Sequence, residues 1–117
     1  MAVAKAQEQI THTLLSWPGV SAHPHRFGGT EYRLRQRELG HIHGDHLVDI
    51  PFPSRLRNEI IAAGQARPHH ILPESGWVSF YLHHPEDIGH ATDLLRRSYE
   101  IALTQYARRA KELNPGE

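Results

Sequence analysis

The chain has 117 residues, of which 38% are hydrophobic and 22% charged; 13 Lys+Arg balance 13 Asp+Glu, and there are 11 His and no Cys. That size and balance suit one soluble domain spanning 1–117 with a single core, and leave no global basic field to draw in nucleic acid or an anionic membrane. The lack of cysteine excludes disulfides, thiolate catalysis and cysteine-ligated metals.

Residues 2 to 16 read as a helix, with Val3, Ala6, Ile10 and Leu14 at helical spacing. Lys5, Gln7, Glu8, Gln9 and His12 break any signal-peptide core or membrane span there, so a cytoplasmic protein is expected. Trp17-Pro18-Gly19 stops the helix, because a residue before proline avoids the helical region. Val20 to Gly29 reads as a loop. Thr30 to Leu34 and Glu38 to His43 read as strands, and Gly44-Asp45 as a two-residue hairpin turn into a third strand from His46 to Phe52. Ser54 is the expected N-cap of a helix carrying Leu56, Ile60 and Ala63 and ending at Gly64. Ala66 to Glu74 reads as a loop or partial strand. Trp77 to Leu82 alternates cleanly, with Trp77, Ser79 and Tyr81 on one face and Val78, Phe80 and Leu82 on the other. A long helix follows from Glu86 to about Leu113, with Ile88, Ala91, Leu95, Tyr99, Ala102 and Tyr106 as its apolar stripe. Residues 114–117 are expected to fray. The order predicts an α+β domain: an N-terminal helix, an antiparallel sheet with a histidine-bearing hairpin, a middle helix, a further strand and a long C-terminal helix.

The chemistry concentrates in Arg37-Glu38-Leu39-Gly40-His41-Ile42-His43-Gly44-Asp45-His46. A two-residue turn would set His43 opposite His46, with His41 on the same face and Leu39, Val48 and Ile50 continuing it. Three readings follow. His41, His43 and His46 can ligate one divalent metal. They can supply a general base for a small molecule. Or they form a polar hairpin end bonded to backbone, water or Asp45. His69 and His70 lie in a loop that can reach the hairpin, or else face solvent. Arg37-Glu38 is either a structural ion pair or a clamp for an anionic or hydroxylated substrate. Trp77 and Tyr81 are core aromatics or the walls of a site for a planar ligand. His12, His23, His25 and His90 read as surface residues. Arg96-Arg97 and Arg108-Arg109 read as a solvated helix face.

The run Arg37-Glu38-x-x-His41-x-His43-x-x-His46, followed by Gly64, His69 or His70, Trp77-x-x-Phe80-Tyr81 and a helix after Pro85, resembles the luciferase domain of bioluminescent fungi and of small bacterial proteins. The resemblance covers roughly residues 27 to 104. It implies an oxygenase of luciferase type. Fungal luciferase oxygenates a hydroxylated styryl-pyrone with molecular oxygen through a peroxidic intermediate that loses carbon dioxide. Such a substrate is activated by loss of its enolic proton and needs no bound cofactor beyond oxygen itself. The resemblance itself assigns no residue roles; for such a reaction, side-chain chemistry would make His41, His43 and His46 base or metal ligands, with His69 or His70 completing the pocket. Arg37 would stabilise anionic charge, Glu38 would orient a histidine, and Trp77 and Tyr81 would form the walls. The sequence shows no counterpart of the hydrophobic N-terminal segment of the fungal enzymes, so light emission is not expected. The order of elements, with Ser98-Tyr99-Glu100 in the last helix, also resembles the small double-wing, frataxin-like proteins. The expected partner is a small aromatic or enolic molecule, with no membrane and no nucleic acid. The alternative is a non-enzymatic binding module for nucleic acid or a protein.

Overall fold

The computed structural model describes residues 2–113; the tail expected to fray lies outside them. Helix α1 spans Ala6–Leu15, and strands β1 to β4 span Val20–Pro24, Thr30–Leu34, Arg37–His43 and Leu47–Pro51. Helix α2 (Ser54–Ala62), a short β5 (Arg67–Pro68), β6 (Trp77–Tyr81) and helix α3 (Asp87–Leu113) complete the chain. The six strands form one antiparallel sheet in the order β1-β2-β3-β4-β6-β5. This is the expected α+β architecture.

One sheet face is apolar and covered by helices. Tyr32, Leu34, Ile42, Val48, Ile50, Val78 and Leu82 are buried there with Ala6, Ile10 and Leu14 of α1 and Ala91, Leu95, Tyr99 and Ala102 of α3. The stripes expected for both helices are the ones buried, because period-3.6 spacing gathers these residues on one side. Polar side chains tie the layers together. Ser98 Oγ donates to Leu39 O at 2.9 Å, and Tyr99 OH to Pro18 O at 2.7 Å. Arg96 is exposed, as expected of a solvated face, and its guanidinium also lies over the rings of Trp17 and Tyr99 at 5.1 and 5.0 Å, while Arg97 donates to Gln65.

Four local readings change. Val20–Pro24 is an edge strand, not a loop: Val20 and Ala22 pack on the core, and the edge tolerates Pro24 at its end. Helix α1 starts at Ala6 because Lys5 adopts a left-handed conformation and Val3 N–H bonds Asp45 O. Ser54 is the first helical residue of α2, preceded by Pro53, and makes no cap bond.

The fourth change matters most for the site. The turn after β3 holds three residues, Gly44, Asp45 and His46, since His43 pairs with Leu47. Its aspartate is used elsewhere: Asp45 Oδ1 accepts from Gln7 N–H at 2.9 Å and so caps the start of α1. Asp87, the first residue of α3, instead reaches back to fix the chain that enters its helix. Its Oδ2 accepts the backbone N–H groups of both His83 and His84 at 2.9 Å. Loss of these charged acceptors in Asp87→Ala should lower stability by about 1–2 kcal/mol. Urea denaturation would show it, and an unchanged midpoint would contradict this anchoring role.

Candidate active site

Strand register decides what faces the uncovered side of the sheet. His41 pairs with Asp49 and Glu31, and Asp49 pairs with Ser79, so all four share one face. Trp77 lies two residues from Ser79 on β6 and joins them. Glu38 would not join them in a regular strand, since it is three residues from His41. It does so because Leu39 is an extra residue: Tyr32 pairs with Gly40, but Arg33 pairs with Glu38. This β-bulge sends Leu39 into the core and brings Glu38 round to the histidines.

The centre of the site is Asp49, which the sequence reading did not single out. Its carboxylate is fully buried. Oδ1 accepts the Ser79 hydroxyl at 2.7 Å. Oδ2 faces Nε2 of His43 at 2.9 Å, of His70 at 3.1 Å, of His41 at 3.3 Å and of His69 at 3.5 Å. Only the β4 alternation could have found it: Val-Asp-Ile-Pro places one acid between core residues, and a buried lone acid needs partners.

His41 has both ring nitrogens directed at acids, Nδ1 to Glu38 Oε2 at 2.6 Å and Nε2 to Asp49. Burial pulls its pKa down, but the bonds to Asp49 and Glu38 outweigh this and raise it to about 9. It is therefore an imidazolium at neutral pH. Asp49 is driven up by burial and down by the bonds from His41, Ser79 and His70; the net shift is downward, so it is a carboxylate. Burial lowers the pKa of His43, and the positive His41 adds to that. His69 is lowered by burial as well. Its Nδ1 accepts the backbone N–H groups of Ile71 and Leu72 at 3.2 and 3.0 Å, which fixes the neutral tautomer with the proton on Nε2.

His25 was read as a surface residue and is instead part of the cluster. Its ring stacks on His41 with centroids 4.0 Å apart and 17° between planes. Its Nδ1 meets Glu31 Oε1 at 3.2 Å, and Glu31 is held in turn by Arg33 Nε at 2.5 Å. Burial pushes Glu31 up, but the bonds from Arg33 and His25 leave it below its ordinary value, hence ionised. No motif in the sequence could reveal His25, because strand β1, which delivers it, was itself not expected.

Other expected site residues fall outside. His46 was expected opposite His43, but the longer turn leaves it exposed, with its ring against Gly44. The same one-residue difference turns Val48 and Ile50 into the core and Asp49 towards the histidines. Arg37 pairs with Leu34 on the opposite side and does not line the cavity; Arg26 does. Tyr81 shares the sheet face but lies beyond the cluster, beside His83 and under Arg67. The structure brings His41, His43, Glu38, His69, His70 and Trp77 together.

Above the cluster is an open cavity of about 340 Å³. His25, His41, His43, His69 and His70 with Asp49 form its polar side, and Trp77, Phe27, Ile71 and Leu72 its apolar side. The Trp77 ring lies 5.2 Å from His41 and 6.1 Å from His69. Phe27 is 99% exposed and has φ 57°, an uncommon conformation for a bulky residue. A larger depression of about 570 Å³ lies at α3, lined by Gly64, Phe80, Asp87, His90 and Arg97. It lacks a buried charge cluster, so the smaller cavity is the better candidate despite its size.

A helix-backed antiparallel sheet bearing imidazoles around one buried carboxylate defines a small α+β domain with an open cavity on its uncovered face. The Luciferase domain family matches residues 36–98, more than half of the chain, and the chain belongs to that family. The matched span contains Glu38, His41, His43, Asp49, His69, His70 and Trp77, but not His25 or Glu31. No curated protein matches, and no solved structure does. Among the described residues, no helix is long and apolar enough to cross a membrane.

Proposed function

We propose that this domain binds a small planar enolic or phenolic compound in the cavity beside Trp77 and oxygenates it. The observation that carries the reading is the cavity's two-sided chemistry. An indole and three exposed apolar side chains suit the faces of a flat ring, while an imidazole–carboxylate floor suits an acidic hydroxyl. Its volume falls within the range of small-molecule sites.

The residues divide the work by protonation state. Glu31 holds His25 through Nδ1, which leaves Nε2 as a proton acceptor. The imidazolium of His41, stacked beneath it, favours the anion that results. An enolate of this kind is electron-rich at carbon. It can give two electrons to molecular oxygen and form a carbon–oxygen bond, so that both oxygen atoms enter as a peroxide and no external reductant is consumed. Phe27, Ile71 and Leu72 at the mouth would exclude water from that anion.

The test uses a 4-hydroxy-2-pyrone carrying a hydroxystyryl group. Calorimetry should give saturable binding, and an oxygen electrode should record one oxygen consumed per substrate. Trp77→Ala should weaken binding by about tenfold through lost stacking, which is worth ~1.5 kcal/mol. His25→Ala should slow oxygen uptake by about 100-fold, the usual scale of general-base loss. His46→Ala should leave both unchanged. Binding insensitive to Trp77, or no binding of any hydroxypyrone or hydroxycinnamate, would end this reading.

A further inference from the structure

One feature of the cluster exceeds what hydrogen bonding can satisfy. A carboxylate oxygen has two lone-pair sites. Asp49 Oδ2 has three imidazole nitrogens within 3.3 Å, from His43, His70 and His41, and a fourth, from His69, at 3.5 Å. The fourth is accounted for, because the tautomer of His69 places its proton on Nε2. Glu38 anchors His41 from its other side. Among the described residues, the rings of His43 and His70 have no such second anchor, and each directs Nε2 at the same oxygen.

We propose that His43 Nε2, His70 Nε2 and Asp49 Oδ2 bind one divalent first-row transition-metal ion. One donor atom from each lies within 4.8 Å of the others. Ligands bonded at about 2.1 Å and set at right angles around a metal stand about 3.0 Å apart. The two nitrogen–oxygen separations here, 2.9 and 3.1 Å, have that edge length. Two histidines and one carboxylate, with open positions towards a cavity, form the ligand set suited to iron(II) and its neighbours. The support behind the ligands fits too. Ser79 holds the other Asp49 oxygen at 2.7 Å, and ligating carboxylates are held in this manner. The strands fix Asp49 and His43 by register, and the loop after β5 delivers His70, whose N–H bonds Ser79 Oγ at 3.3 Å. A second grouping, His25 with His41 and His43, has no anionic ligand, and two of its rings are already held by Glu31 and Glu38.

The site differs from the hairpin set of three histidines, since His46 has no part in it. It does not depend on the oxygenase reading. A metal here would present its open positions to the cavity and could receive an enolate oxygen directly.

The test is titration of chelator-treated protein with Co²⁺, followed by visible absorption and by calorimetry. One equivalent should bind and produce ligand-field bands. His70→Ala, a change at a partly exposed ring on a loop, should keep the fold and weaken binding by about 100-fold or more, the scale on which metal sites respond to lost partners. Asp49→Asn should do the same wherever its circular dichroism is retained. His46→Ala should bind as wild type. Absence of stoichiometric binding, or binding unaffected by His70→Ala, would overturn the proposal. Pyrone binding measured in excess chelator separates the two readings: if it persists while no Co²⁺ binds, the pocket stands and the metal site falls.

Discussion

Asp49→Ala is expected to be the most damaging single change in the domain, costing about 3–5 kcal/mol, the range found when one partner of a buried charge pair is removed. The carboxylate is fully buried, accepts the Ser79 hydroxyl and is the common neighbour of four imidazoles. Alanine leaves the Ser79 hydroxyl without its acceptor and the His41 imidazolium with Glu38 alone. It also removes the anion that holds positive and neutral rings at close quarters. Pyrone binding should be lost with it, because the polar side of the cavity is built around this group. The pH dependence has a definite sign. His41 has a folded pKa of about 9 against an ordinary 6.5, so its contribution is complete below pH 6.5 and fades as pH rises through 9. In the variant that alkaline fade should shrink, since only Glu38 remains to retain the proton. Urea titrations at pH 6, 8 and 10 would measure both effects. A loss below 1 kcal/mol at pH 6 would show that Asp49 is not the keystone described.

Gly40→Ala should cost about 3 kcal/mol, combining overpacking with backbone strain. Gly40 has φ 154°, and a β-carbon there would sit 2.8 Å from Leu95 Cδ2 and 2.9 Å from Asp49 O. The leucine tip could swing away, but the Asp49 carbonyl belongs to the neighbouring strand and cannot. The strain would fall where α3 meets β3, directly behind His41 and Asp49. Thermal unfolding should show a drop of roughly 10 °C or more for a domain of this size. Pyrone affinity should fall even in the residual folded protein at low temperature. A melting curve matching wild type would mean that the sheet yields there more readily than its packing implies.

Much of the architecture is legible in the sequence because it rests on periodicity. The stripe Ala91, Leu95, Tyr99, Ala102 and the alternation Trp77 to Leu82 each specify an element and its buried face. The hairpin is also legible as a reversal, but not its length. Gly44-Asp45 has the chemistry of a two-residue turn, yet Asp45 is drawn off to cap α1, and a third residue enters the loop. That tertiary contact outweighs the local preference and shifts the return strand by one position. Asp49 replaces His46 in the site for this reason. Strand β1, as long as β2, was hidden by its closing Pro24, and His25 was hidden with it. The histidine-rich run and the Trp77, Ser79, Tyr81 alternation were each legible as one-sided, but the face expected for the histidines included Leu39, Val48 and Ile50, which the structure buries in the core.

The extra residue in β3 has a consequence for how such a pocket can change. Glu38 and His41 share a face only because Leu39 is looped out between their pairing positions. Insert one residue in β2 between Tyr32 and Arg33, opposite Leu39, and β3 returns to strict alternation, with the acid carried to the far side of the pleat. The proton reservoir at His41 is thus a matter of counting as well as of chemistry. A lineage could silence or restore it by a single codon's gain or loss, with the histidines and Trp77 that line the cavity left in place.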